Sequence, residues 1–161
     1  MATERFRPNV TVAAVVEREG RFLLVEEHTG DGLRLNNPAG HLEPGETLLQ
    51  AVRREVLEET ACRFEADALL GVYLARLPGD GDALTYLRFA FRGRVGAPVA
   101  GRALDAGIVR TLWLTPQEIE ASRPRHRSPL VWSCVQDHLA GRRYPLELLV
   151  GAPGAAGPTP R

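Results

Sequence analysis

Residues 40–62 read GHLEPGETLLQAVRREVLEETAC, a glycine turn followed by a segment with the periodicity of an amphipathic helix. Thr47 and Gln50 have the spacing of a capping box, in which each side chain satisfies a backbone N–H at the helix start. We therefore predict a helix that begins after Thr47 and runs to about Thr60. At about 100° per residue, its core-facing side chains are Leu48, Leu49, Val52 and Val56.

Three acidic residues of this helix, Glu55, Glu58 and Glu59, are poorly placed for a solvated surface. Glu59 falls within the apolar face and Glu55 at its edge, and two like charges four residues apart repel each other. Glu58 and Glu59 also lie in the last turn, where the helix dipole disfavours anions. Clustered carboxylates at the edge of a core suit a hard cation such as Mg²⁺ or Mn²⁺. A solvated acidic face is the alternative interpretation.

Short apolar segments bounded by turn residues predict strands on both sides of this helix. We expect further helices over residues 116–121, capped by Thr115, and 128–140, with Pro129 at the first position. This irregular alternation predicts an α+β fold, with a mixed sheet between helices rather than a doubly wound parallel sheet. The predicted strands span residues 9–16, 21–27, 68–77, 84–94 and 108–114, and a turn spans residues 78–82.

The composition favours one globular domain without a large charge bias. The chain has 161 residues, of which 44% are hydrophobic, and its 20 Lys and Arg residues balance 20 Asp and Glu residues. This balance argues against a protein that coats nucleic acid, since such binding depends on many basic contacts to phosphates. We expect a domain over residues 6–149, followed by a disordered Gly-, Ala- and Pro-rich tail over residues 150–161.

The two cysteines, Cys62 and Cys134, match no metal-binding spacing and favour a reduced, cytoplasmic chain, with one disulfide as the alternative. No apolar segment approaches the roughly 20 residues of a membrane span. The N-terminal residues lack the apolar core of a signal peptide. We therefore expect a cytoplasmic protein without membrane contact.

The segment quoted first resembles the Nudix box, G-x(5)-E-x(7)-R-E-U-x-E-E-x-G-U, where U is aliphatic. Ala61 replaces the last glycine and Cys62 the last aliphatic residue, both beyond the acidic residues. Other segments resemble the NudJ phosphatase subgroup of this family, namely NVTVAAVV (9–16), NPAGHLE (37–43), RSPLV (127–131) and RYPLE (143–147). The residues in register with the box are Gly40, Glu46, Arg54, Glu55, Val56, Glu58 and Glu59.

The resemblance implies a Nudix α/β/α sandwich and a magnesium-dependent hydrolase of phosphoric anhydride bonds, in which Mn²⁺ can replace Mg²⁺. In the family's pattern Glu55, Glu58 and Glu59 hold metal ions, with a backbone carbonyl of Ala39 or Gly40. Arg54 and Glu46 would pair to brace the loop against the helix, with a surface ion pair as the alternative. The subgroup implies release of orthophosphate from nucleoside tri- and diphosphates, and action on hydroxymethylpyrimidine pyrophosphate.

The general base stays open between Glu58, Glu59 and Asp105, the last in the loop before the strand that ends near Trp113. The expected catalytic set is therefore Glu58, Glu59, Arg54 and Asp105. For substrate contacts the candidates are His41, Arg34, Arg88, Arg127 and Tyr144, with Arg21 for phosphates and Tyr73, Tyr86, Phe91 and Trp132 for base stacking.

The alternative interpretation is that these arginines are ordinary solvated side chains and that these aromatic residues pack in the core. Ser128 has only His126 nearby, and a helix cap explains it better than a serine hydrolase does.

Two other functions stay open from the sequence. The first is hydrolysis of ADP-ribose or another nucleoside diphosphate linked to a different group. The second is a Nudix domain that senses nucleotides without cleaving them, which the retained acidic residues disfavour. The expected partner is a small phosphoanhydride substrate rather than a nucleic acid polymer, bound by a monomer or homodimer.

Overall fold

The computed structural model describes residues 5–78 and 84–151. The predicted turn over residues 78–82 and tail over residues 150–161 lie largely outside these ranges. In chain order the strands are β1 (Asn9–Arg18), β2 (Arg21–Thr29), β3 (Gly32–Asn36), β4 (Ala39–His41), β5 (Cys62–Leu77), β6 (Leu84–Pro98) and β7 (Ile108–Leu114). The helices are α1 (Leu48–Thr60), α2 (Pro116–Ala121) and α3 (Leu130–Leu139), with 3₁₀ turns at Arg123–Arg125 and Leu146–Leu148.

The described strands form one mixed sheet in the order β3-β2-β1-β6-β5, with β4 beside β1 and β7 beside β2. β1 and β6 run parallel, and the other pairs are antiparallel. This confirms the mixed sheet predicted from the irregular order of strands and helices.

β1 lies between two hydrophobic layers because its residues alternate between the faces of the sheet. Val12, Ala14 and Val16 pack with α1, including Val52 and Val56. On the other face, the core contains Ala13, Val15, Leu70, Val131 and Val135, the last two from α3. The sheet is therefore covered by a helix on each face, as in an α/β/α sandwich. No helix in the described ranges is long and apolar enough to span a membrane.

Several predicted boundaries differ from the structure. β3 was not predicted, and β5 begins at Cys62 rather than at residue 68. The early part of β5 pairs with residues 93–98 of β6 through register shifts, which interrupt the alternation that sequence patterns detect. α3 begins at Leu130, so Pro129 precedes the helix instead of occupying its first position.

Candidate functional site

Helix α1 begins where its capping box predicts. Thr47 Oγ1 accepts a hydrogen bond from Gln50 N at 3.2 Å, and Gln50 Oε1 accepts one from Thr47 N at 2.8 Å. The helix ends at Ala61, which adopts the left-handed conformation with φ 58°. The box glycine is replaced here by alanine, so this residue carries a backbone strain that glycine avoids.

Two carboxylates of α1 are buried against the sheet. Glu59 is 7% exposed and accepts a hydrogen bond from Ala39 N at 2.9 Å. Burial raises the pKa of Glu59 to about 8, and burial also raises the pKa of Glu55. A carboxylate held in such a place is stabilised by a cation, because desolvation opposes its negative charge.

Gly40 allows the Glu55 carboxylate to lie directly against the backbone. β4 pairs with β1, with Gly40 opposite Val12, and this pairing fixes the glycine beside α1. A Cβ added at Gly40 would be 2.1 Å from the Glu55 carboxylate carbon, so the carboxylate would have to move away. The glycine of the motif is thus required for close approach.

Arg54 ties the loop before α1 to the helix. Its Nε donates to Glu46 Oε1 at 2.5 Å, and its Nη2 donates to the His41 carbonyl at 2.9 Å. Its Nη1 donates to Glu55 at 2.8 Å and to Glu58 at 3.1 Å. The hydrogen bond from Arg54 lowers the pKa of Glu46, so this carboxylate remains charged. The Arg54–Glu46 pair expected from the motif is present.

The glutamates of α1 are near one another but are held by different partners. Arg54 donates hydrogen bonds to Glu55 and Glu58. Glu59 accepts a hydrogen bond from the N–H of Ala39, the residue whose carbonyl was one of the expected metal ligands. In residues 5–78 and 84–151, no three Asp, Glu, His or Cys side chains already converge on one point. The donor set still fits a hard divalent cation, since carboxylate oxygens are its preferred ligands.

These residues line a cavity of about 460 Å³. Six carboxylates and three guanidinium groups face it, an excess of negative charge that suits cations and would repel a phosphate without them. The expected site residues in its lining are Ala39, Gly40, His41, Arg54, Glu55, Glu58, Glu59, Arg88, Asp105 and Arg127.

Two predicted substrate contacts lie elsewhere. Arg34 does not line the cavity, because its guanidinium pairs with Asp31 at 2.6 Å and with the Pro124 carbonyl. Tyr144 pairs with Leu69 through backbone hydrogen bonds and borders a separate cavity. The structure therefore does not bring Arg34 or Tyr144 into the cavity that the other expected site residues line, and their substrate contacts stay predictions.

The remaining phosphate and stacking candidates are mostly held by other partners. Arg21 bonds to Glu118, and the Tyr73 hydroxyl donates to Asp137 at 2.7 Å. Phe91 is fully buried in the core on the α1 side of the sheet, and Trp132 packs against the core on the α3 side. Of the aromatic candidates, Tyr86 lines the cavity, with its ring 6.3 Å from that of His41.

Asp105 reaches the cavity because its loop docks on the end of α1. Its backbone N donates to the Glu58 carbonyl at 2.9 Å, and Ile108 N donates to the Asp105 carbonyl at 3.0 Å. By contrast, Ser128 has no histidine partner among the residues that the structure describes, and His126 Nε2 is instead 3.1 Å from Ser122 Oγ. Ser128 Oγ instead accepts from Leu130 N at 3.3 Å, which supports a structural role.

The sequence predictions missed five polar residues of the cavity, Thr11, Glu27, Asn36, Glu43 and Ser128. Glu27 Oε1 accepts from Asn36 Nδ2 at 3.3 Å and lies 3.4 Å from Arg127 Nη1. The sequence did contain a signal for Glu27, which is the pair of consecutive acids in β2. Because side chains alternate along a strand, one of Glu26 and Glu27 must lie on the face of the sheet towards the cavity. Thr11, Asn36 and Ser128 stand in no motif that indicates chemistry.

The NUDIX domain family matches residues 5–132 of the chain. The chain belongs to the Nudix hydrolase family. It is 38% identical over 145 residues to Phosphatase NudJ of Escherichia coli K12, an alignment that covers 89% of this chain and 92% of that one. A solved NUDIX hydrolase from Nitrosomonas europaea superposes with TM-score 0.87 and 50% identity, covering 92% of this chain and 99% of that chain.

A more distant structure shares only the Nudix fold. It is a bifunctional NMN adenylyltransferase/ADP ribose pyrophosphatase from Francisella tularensis, complexed with AMP and a manganese ion. Its identity is 19% and its TM-score 0.62, over 86% of this chain and 43% of that one. The family match confirms the α/β/α fold and an enzyme that hydrolyses phosphoric anhydride bonds in small molecules. Nudix hydrolases as a group use divalent metal ions.

Proposed function

We propose that this Nudix hydrolase is a magnesium-dependent phosphohydrolase. Its substrates would be nucleoside tri- and diphosphates and hydroxymethylpyrimidine pyrophosphate, from which it releases orthophosphate. The observation that carries the proposal is the buried Glu59 carboxylate, next to Glu55, in a cavity with excess negative charge. Similarity to proteins named Phosphatase NudJ over most of both chains supports the substrate class.

Glu55, Glu58 and Glu59 would hold the metal. When bound, a divalent ion neutralises charge on phosphate oxygens and lowers the pKa of a water molecule. Arg54 would release its Nη1 contacts with two of these glutamates while it keeps Glu46 and the His41 carbonyl. The loop before α1 would then stay in contact with the helix while the metal binds.

The chain also offers groups that accept a proton and hold the nucleoside. Glu58 and Asp105 are more exposed than Glu59, and the backbone bond between them keeps both at the cavity. We assign the base to one of these two carboxylates, whose oxygens would accept the proton of the attacking water. The neighbouring rings of His41 and Tyr86 would contact the base of the nucleotide.

A substrate panel tests the proposal. GTP, GDP, hydroxymethylpyrimidine pyrophosphate and ADP-ribose would be incubated with the enzyme and Mg²⁺, with orthophosphate and pyrophosphate assayed separately. We expect orthophosphate from the first three substrates and no turnover with EDTA. Release of pyrophosphate from GTP, or activity on ADP-ribose alone, would contradict the proposal.

A further inference from the structure

The cavity has two walls of different origin. The helix wall is Arg54, Glu55, Glu58 and Glu59, all on α1. The strand wall is Thr11 of β1, Asn36 of β3, Arg88 of β6 and Ser128 before α3. Each strand-wall residue is buried, with 6–7% exposure. A ligand group that reaches this wall therefore leaves bulk water.

Sheet register brings Arg88 and Thr11 together. The two residues are direct partners in the parallel β1–β6 pair, so their side chains leave the same face of the sheet. Arg88 is also opposite Tyr73 of β5. The guanidinium thus stands between two strands, on the side of the sheet that α3 covers.

Arg88 has unused hydrogen-bonding capacity. In the described part of the chain, its Nε and Nη1 have no hydrogen-bond partner, and neither does Thr11 Oγ1. The nearby Cys134 thiol supplies no negative charge, since burial raises its pKa to about 11. The Tyr73 hydroxyl is committed to Asp137.

The charges of Glu59 and Glu27, in the same cavity, partly stabilise the Arg88 cation. N–H groups that have lost their hydration and lack hydrogen-bond acceptors are nevertheless unfavourable. Such an arrangement is expected where a ligand supplies the missing acceptors. The planar guanidinium fork matches the geometry of phosphate oxygens, and a hydroxyl group beside it can donate one more hydrogen bond. In a dry setting these contacts are stronger than at the surface.

We propose that Arg88 and Thr11 form a subsite for the terminal phosphate of the substrate, so that the enzyme selects compounds that end in a free phosphate group. This inference rests on the proposed function. The helix wall and its metal would hold the rest of the phosphate chain. A substrate such as ADP-ribose has a sugar beyond its second phosphate, and a sugar hydroxyl lacks the negative charge that a buried guanidinium pairs with.

The test compares Arg88→Gln, Arg88→Lys and Thr11→Val with the wild type. Arg92→Gln is the matched control, because Arg92 lies on the same strand and face as Arg88 but outside the cavity. Steady-state kinetics with GDP and Mg²⁺ give KM and kcat. Calorimetric titration with inorganic phosphate in the same buffer gives a readout that does not require turnover.

We expect Arg88→Gln to raise KM for GDP and weaken phosphate binding at least about tenfold each, the scale of one lost charge-assisted contact. Arg88→Lys and Thr11→Val should give smaller losses, with kcat changed less than KM. Arg92→Gln should match the wild type. Circular dichroism and thermal melts establish that each variant is folded. If Arg88→Gln does not fold, the nearly isosteric Thr11→Val still tests the subsite.

Failure of this inference differs from failure of the proposed function. If the wild type hydrolyses GDP and GTP to orthophosphate while all three variants retain its KM and its phosphate affinity, the subsite is wrong and the proposed function stands. If the wild type does not release orthophosphate from the panel, the proposed function is wrong. Phosphate binding that is equal in the wild type and Arg88→Gln then overturns the subsite separately.

Discussion

The helix wall and the strand wall of the cavity are built in opposite ways. On the helix wall, the charged groups already have partners, since Arg54 bonds to three glutamates and Glu59 to the Ala39 N–H. On the strand wall, Nε and Nη1 of Arg88 and the Thr11 hydroxyl have no hydrogen-bond partner within the described ranges. The first wall is held in shape by the chain itself, and the second has capacity left for a ligand. This difference indicates that metal holding and substrate selection are separable by mutation.

The largest effect should come from breaking the helix wall. Glu59→Gln removes a buried carboxylate, and we expect kcat to fall by at least about 100-fold, as when an electrostatic group that acts in the transition state is lost. Mn²⁺ binding should weaken as well. Glu65→Gln is a matched control, because Glu65 pairs with Arg94 on the exposed surface of β5–β6. Undiminished turnover by folded Glu59→Gln would refute the assignment of the metal site.

A subtler change at the same wall adds one methyl group. Gly40→Ala should displace the Glu55 carboxylate, since the new Cβ would be 2.1 Å from its carbon. We expect metal affinity to fall about 10–100-fold, comparable with loss of a group that orients a ligand. Gly96→Ala is the control, because a Cβ there meets nothing within 4 Å. Equal Mn²⁺ affinity in the two variants would contradict the close-approach argument.

The buried Glu26 of β2 forms two ion pairs whose contribution to the stability of the fold should depend on pH. Glu26 is buried and accepts hydrogen bonds from Arg110 and from Arg125, which precedes Arg127 and Ser128. The hydrogen bond from Arg110 and that from Arg125 together lower the pKa of Glu26 below its ordinary 4.5, against the effect of burial. A lowered folded-state pKa means that this stabilisation is complete above about pH 4.5 and is lost as pH falls through the folded value.

Glu26→Gln should therefore lower the free energy of unfolding by about 1 kcal/mol at neutral pH, a modest figure because both arginines are half-exposed. The difference from the wild type should vanish in acid. Urea denaturation at several pH values measures it, with Glu65→Gln as the exposed comparison. A constant difference at all pH values would show that ionisation of Glu26 is not the cause.

The smallest effect is expected at the end of the helix wall. Ala61→Gly relieves the left-handed backbone of the helix cap, and we expect a gain of about 0.5–1 kcal/mol in unfolding free energy. Ala51→Gly, in the interior of α1, should lower stability by about 1 kcal/mol or more. Thermal and urea denaturation of both variants compare the two backbone settings. A loss of stability in Ala61→Gly would contradict the strain at this cap.

The helix wall was predictable because its information is local. The capping box set the start of α1, and the helical period placed Glu59 among apolar positions, as its 7% exposure confirms. The roles of the predicted residues in metal binding and catalysis stay predictions. Arg34 and Tyr144 lie outside the cavity, and the sequence could not show this because the type of a side chain does not indicate which surface it faces.

The sequence by itself determined the family, the α/β/α fold and the acidic helix, since each follows from spacing within one continuous segment or from likeness along the chain. Only the tertiary structure decided the strand wall. Thr11 and Arg88 are far apart in sequence, and the parallel pairing of β1 with β6 makes them neighbours. Strand register depends on long-range hydrogen bonding and on packing against both helix layers, and no local pattern encodes it.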